Sequence, residues 1–142
     1  MVVTMRKIDT IIIHCSDTPN GRYHDAKEID RWHREERGWD GIGYHNVICT
    51  DGEIQRGRMY EKKGAHAKGY NASSIGICMI GRDQFTSEQW SSLFELVDKL
   101  KATYPIKMVI GHNDVDDHKT CPNFNVADWI SYGPDTRQIL EK

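Results

Sequence analysis

Ile8-Asp9-Thr10-Ile11-Ile12-Ile13-His14 is a near-continuous apolar run of strand length that ends in a histidine, with Cys15 next. A strand with one wet face alternates polar and apolar residues; the loss of alternation here marks a strand covered on both faces, and therefore a central one. Ile75-Gly76-Ile77-Cys78-Met79-Ile80 is a second buried strand, and Lys107 to Gly111 a shorter one. Asp25 followed by Glu28 resembles a capping pair, Ile29, Trp32 and His33 share one helical face, and Gly38 suits a stop, which predicts a helix over 26–37. Thr86 with Gln89 repeats the capping signature, and Trp90, Leu93, Phe94, Val97 and Leu100 then recur at helical spacing until Tyr104-Pro105. Tyr44 to Thr50, Asp51-Gly52 and Glu53 to Gln55 read as a hairpin, because Asp-Gly readily takes the positive φ angles of a two-residue turn. Val126 to Tyr132 supplies one or two further helical turns, and the last few residues are expected to fray. Strands and helices that alternate around one hairpin predict an α/β fold, a single mixed β-sheet flanked by helices.

The 142 residues fit one domain, spanning 1–142, and suffice to bury a core without staples. Nineteen Lys and Arg against 21 Asp and Glu leave a formal charge of -2, which argues against a dedicated nucleic-acid binder. Arg56, Arg58, Lys62, Lys63 and Lys68 form a local basic excess that reads as a solvated face. The cysteines at 15, 49, 78 and 121 contain no C-x-x-C pair, so neither a disulfide framework nor a four-thiolate zinc ribbon is indicated. Cys49 and Cys78, inside strand-like runs, serve as small core hydrophobes. No span has the length of a membrane helix, and the N-terminus lacks the apolar segment of a secretory signal. The expectation is a soluble monomer made in the cytoplasm, without membrane insertion.

Chemistry concentrates in His112-Asn113-Asp114-Val115-Asp116-Asp117-His118-Lys119-Thr120-Cys121-Pro122, beside the apolar run Met108-Val109-Ile110. His14 and His112 both fall where a buried strand emerges, the place where open α/β sheets tend to hold their sites. Two imidazoles and the Cys121 thiolate would leave zinc one open position, the pattern of a catalytic site. Lys119 is placed to meet a developing oxyanion and Tyr44, at the start of a strand, to orient a water. A lone histidine is ordinarily a hydrogen-bonded core residue or a surface one, and His24, His33, His45 and His118 are read in that way, His33 and His118 as surface residues. A Cys15 nucleophile paired with a histidine is the rival arrangement, with no oriented partner to support it.

Five separated segments carry a family resemblance: Ile13-His14-Cys15-Ser16-Asp17-Thr18, Gly43-Tyr44-His45, Gly64-Ala65-His66-Ala67-Lys68-Gly69-Tyr70-Asn71, Ser74-Ile75-Gly76-Ile77-Cys78 and Lys119-Thr120-Cys121-Pro122. From about Ile8 to Trp129 the chain resembles the zinc-dependent N-acetylmuramoyl-L-alanine amidases, in particular the small phage lysozymes of amidase type, whose fold is shared with peptidoglycan-recognition proteins. The resemblance implies hydrolysis of the amide joining the lactyl group of N-acetylmuramic acid to L-alanine in peptidoglycan, as an endolysin that reaches the wall after release by another factor. It also implies one zinc held by His14, His112 and Cys121, catalytic roles for Tyr44 and Lys119, and a substrate contact at His66. The expected chemistry is metal-assisted hydrolysis, with Tyr44 orienting the water or accepting a proton and Lys119 stabilising the tetrahedral oxyanion. Asn113 to Thr120 separate His112 from Cys121, one residue more than in the phage relatives, which bears on the reach of Lys119. The alternatives are a non-catalytic peptidoglycan-binding module, which would typically lack the thiolate ligand that Cys121 offers, and a polymerase-binding regulator.

Overall fold

Residues 6–141 are described in a computed structural model, in the order β1 (Thr10–Cys15), α1 (Ala26–Arg37), β2 (Asn46–Ile48), β3 (Ile54–Arg56), β4 (Ser74–Met79), β5 (Phe85–Thr86), α2 (Ser87–Thr103), β6 (Met108–Gly111), α3 (Val126–Tyr132) and β7 (Ile139–Leu140). Five strands form one mixed sheet in the order β3-β2-β4-β1-β6. The apolar run becomes its interior strand: β1 is parallel to β4 on one side and to β6 on the other, and all six of its residues are buried. Side chains of a strand alternate between faces. Ile11, Ile13 and Cys15 therefore join Ile75, Ile77 and Met79 beneath Trp90, Leu93, Leu96, Val97 and Leu100 of α2. On the opposite face Val47, Cys78 and Ile80 meet Ala26 and Ile29 of α1. Each fully buried isoleucine contributes roughly 1.5–3 kcal/mol over its exposed state, which commits β1 to the middle of two layers.

Helix ends follow their sequence signals. The Asp25 side chain accepts from the Glu28 N–H at α1, and Gly38 closes the helix at φ 68°, a left-handed conformation that suits glycine. At α2 the Thr86 hydroxyl accepts from the Gln89 N–H while the Gln89 side chain accepts from the Thr86 N–H, a complete capping box.

Three local expectations need correction. The hairpin turn is longer than two residues: Cys49 N–H bonds Glu53 O and Gly52 N–H bonds Cys49 O, so Thr50, Asp51 and Gly52 form the loop, with Gly52 at φ 87° and the Asp51 carboxylate accepting from Glu53 N–H. Phe94 is 66% exposed, because the buried stripe of α2 passes through Gln89, Trp90, Leu93, Leu96, Val97 and Leu100 and leaves Phe94 beyond its edge. Ile139 and Leu140 are not frayed; they pair in parallel with Phe85 and Thr86 as a separate two-stranded sheet, while Lys142 lies outside the described residues.

Candidate metal centre

The register of the sheet brings the two strand-end histidines together. Ile13 pairs with Gly111 across β1 and β6, so the next residue along each segment, His14 within β1 and His112 just past β6, lies at the same end of the sheet. Their ring centroids are 4.6 Å apart. Cys121 arrives from the loop that follows β6: Asn113 N–H donates to Cys121 O at 2.8 Å, closing the loop, and Cys15 N–H donates to Cys121 Sγ at 3.1 Å. One donor atom each from His14, His112 and Cys121 lies within 4.8 Å of the others.

The electrostatics of these groups suit a cation. Burial, aided by His66 and His112, holds the His14 imidazole well below its ordinary value, so it is neutral and keeps a lone pair. Burial also lowers His112, with Lys119 adding to the effect and Asp116 opposing it. Hydrogen bonding with Cys15 and burial push the Cys121 thiol up. An imidazole pair that resists protonation and a thiol that ionises only beside a positive charge match the donor set of zinc, whose binding would displace the thiol proton. Cys49, Asp51 and Glu53 also converge. That group belongs to the hairpin turn, where the Asp51 carboxylate is engaged by Glu53 N–H and the Cys49 thiol by Tyr23.

Tyr44 stands beside the centre, its ring 5.0 Å from that of His14. Its backbone is anchored on both sides: Gly43 N–H donates to His33 Nδ1 at 3.0 Å, Ile42 N–H to Asp30 Oδ1 at 2.8 Å, and Arg58 N–H to Tyr44 O at 2.8 Å. Two residues of α1 thus aim the tyrosine. Burial raises the Tyr44 phenol well above its ordinary value and holds it protonated. Lys119 is exposed on the rim of the loop, its N–H bonded to Asp116 O at 3.0 Å, and its charge bears on His112. His66 lies behind His14, its Nδ1 2.8 Å from His14 Nε2.

Several residues that shape the site carry no signal on their own in the sequence. His33 and Asp30 act through Tyr44; Asn71 and Ser74 act through His66. Asn71 and Ser74 stand inside the segments that carry the family resemblance, whereas His33, expected at the surface, is buried on the inner face of α1 because its Nδ1 accepts the Gly43 N–H.

The family model described as N-acetylmuramoyl-L-alanine amidase matches residues 4–124. The endolysin of Escherichia phage T7 is 38% identical over 129 residues, covering 85% of this chain and 84% of its own. Among solved structures, the N-acetylmuramoyl-L-alanine amidase LysC from Clostridium intestinale URNW superposes with a TM-score of 0.77 at 36% identity, over 84% of this chain and 79% of that one. A point mutant of Drosophila PGRP-LB in complex with tracheal cytotoxin superposes with a TM-score of 0.77 at 27% identity, over 96% of this chain and 86% of that one. With a sheet that delivers two histidines, and a loop that delivers a cysteine, to one point, and with these relatives, the chain belongs to the N-acetylmuramoyl-L-alanine amidase family and is an amidase.

Proposed function

We propose that this chain is a zinc-dependent amidase of the phage-endolysin kind, hydrolysing the amide between the lactyl group of N-acetylmuramic acid and L-alanine in peptidoglycan. The observation that carries this reading is the convergence of His14, His112 and Cys121 donor atoms within 4.8 Å at the end of β1 and β6. Zinc bound by these three residues supplies a Lewis acid and a water acidic enough to act near neutral pH.

The chain's own residues do the rest. Tyr44, a neutral phenol whose backbone is fixed by α1 through Gly43 and Ile42 and whose ring stands 5.0 Å from that of His14, would orient what reacts there. Lys119, exposed and close enough to influence His112, brings a positive charge to the rim, where an oxyanion developing on the scissile carbonyl would be stabilised. Cys15 N–H, directed at Cys121 Sγ, stabilises negative charge on that sulfur.

A peptidoglycan ligand is supported by the Drosophila relative, which was solved with tracheal cytotoxin, a monomeric diaminopimelic acid-type peptidoglycan. Kinship to endolysins supports action at the cell wall; that the protein acts as a monomer released from the host cytoplasm by another factor is part of the same proposal. Stripping the protein with a chelator tests the metal requirement: wall lysis should vanish and return when zinc is restored, with about one zinc per chain. Full lysis by exhaustively metal-free protein would refute it.

A further inference from the structure

Neither ring nitrogen of His66 is free. Nδ1 faces His14 Nε2 at 2.8 Å, and Nε2 faces Ser74 Oγ at 3.2 Å. The direction of each bond is set at the far end. A serine hydroxyl has one proton, and that of Ser74 goes to Tyr70 O at 2.7 Å, so Ser74 Oγ meets His66 as an acceptor and the His66 hydrogen sits on Nε2. A neutral imidazole with its hydrogen on Nε2 presents a lone pair at Nδ1. His14 Nε2 must then be the donor, which leaves the lone pair of His14 on its Nδ1.

The place His66 occupies is built for a ring. Its own N–H and that of Ala67 both donate to Asn71 Oδ1, at 2.8 and 2.9 Å. A Cβ at Gly76 would lie 2.7 Å from the His66 ring and one at Gly64 2.4 Å from it, so two glycines clear the space on the sheet that the imidazole fills. A substrate contact, as the family resemblance implied for His66, would have to displace one of these two bonds.

We propose that His66 is a positioning residue: with Ser74 it selects the tautomer of His14, so that Nδ1 and not Nε2 is offered to the metal. This rests on the metal site proposed above. A bond from the far nitrogen of a ligand histidine to a fixed acceptor holds the ring in one orientation and raises its basicity, and losing such a partner typically costs 10–100-fold in metal affinity.

Two measurements test it. Long-range proton–nitrogen NMR spectra of 15N-histidine-labelled, metal-free protein report which ring nitrogen bears hydrogen, whether or not zinc binds or any amide is cut. Hydrogen on Nε2 of both His14 and His66 is expected; hydrogen on His14 Nδ1 overturns the proposal. Zinc affinity, measured by chelator competition, should fall about 10–100-fold in His66→Phe, which fills the space without an acceptor. It should largely recover in His66→Asn, whose carbonyl oxygen stands near the Nδ1 position. Parental affinity in a folded His66→Phe protein also overturns the proposal. Should that variant fail to fold, the spectrum of the parent decides alone. A parent that shows the expected tautomers but binds no zinc refutes the metal site and leaves the His66–Ser74 chain standing.

Discussion

The backbone N–H of Cys15 donates to the sulfur of Cys121 at 3.1 Å, a bond between residues 106 positions apart in the chain. It joins the end of the central strand to the loop after β6, and it points a donor at the one side chain of the centre that must ionise to hold a metal. His14 is held by its strand and His112 by the adjacent strand end, but Cys121 depends on this bond and on Asn113 N–H at its own carbonyl.

Cys121→Ala should therefore abolish zinc retention and wall lysis, while Cys78→Ala, fully buried in β4 opposite His14 but contributing no donor atom to the cluster, should keep zinc and lose about 1 kcal/mol of stability through a small cavity. Metal analysis and urea unfolding of the two variants separate the outcomes. Parental zinc content in Cys121→Ala would show that another group is the third ligand.

Lys119 acts, on this account, after the metal is in place. Lys119→Ala should retain fold and zinc while kcat falls by about 10²–10³-fold, the order expected for loss of one oxyanion donor. Lys119→Arg should recover only part, because a planar fork does not occupy the position of a compact ammonium. Turnover of both variants on one peptidoglycan preparation checks this, and wild-type turnover in Lys119→Ala would remove the oxyanion role.

How much of this was legible in the chain differs by element. The capping residues Asp25 and Thr86 placed the starts of α1 and α2, and the unbroken apolar run placed β1 in the middle of the sheet, because these signals are local and act through the backbone. The convergence of His14 and His112 was legible only as two strand ends; their adjacency depends on the β1–β6 register, which no short segment encodes. The pairing of β5 with β7 was invisible, since two residues at each site carry no periodicity and Phe85 and Ile139 find each other only after folding. His66 shows the same limit. Its motif marked it as functional, but its part in the site depends on Ser74 and on the space cleared by Gly76, both set by the position of β4.

Acidification should destabilise the metal-free protein in a defined window. Burial lowers His33 to about 4, with Arg37 and Arg58 assisting, and lowers His45 to about 4. Each ring accepts a backbone N–H at Nδ1, from Gly43 and from Gly76, so each is neutral when folded. The unfolded chain takes up these protons near pH 6.5 and the folded one only near 4. Stability is complete above about 6.5 and is lost as pH falls toward 4, by at most about 1.4 kcal/mol per pH unit for each histidine. His33 contributes less than this limit, since solvent screens its arginine neighbours. Replacing both by Asn keeps an acceptor for each N–H and removes the titration. Urea unfolding at pH 7.5 and 5 should show a smaller loss in the double variant; a loss equal to that of the parent would assign the acid sensitivity to other groups.

Amide hydrolysis is the central claim, and the new chain ends left in digested peptidoglycan test it most directly. Purified walls treated with the zinc-loaded protein should accumulate free L-alanine amino termini with no new reducing sugar ends. New reducing ends, or walls with no new ends at all, would contradict it.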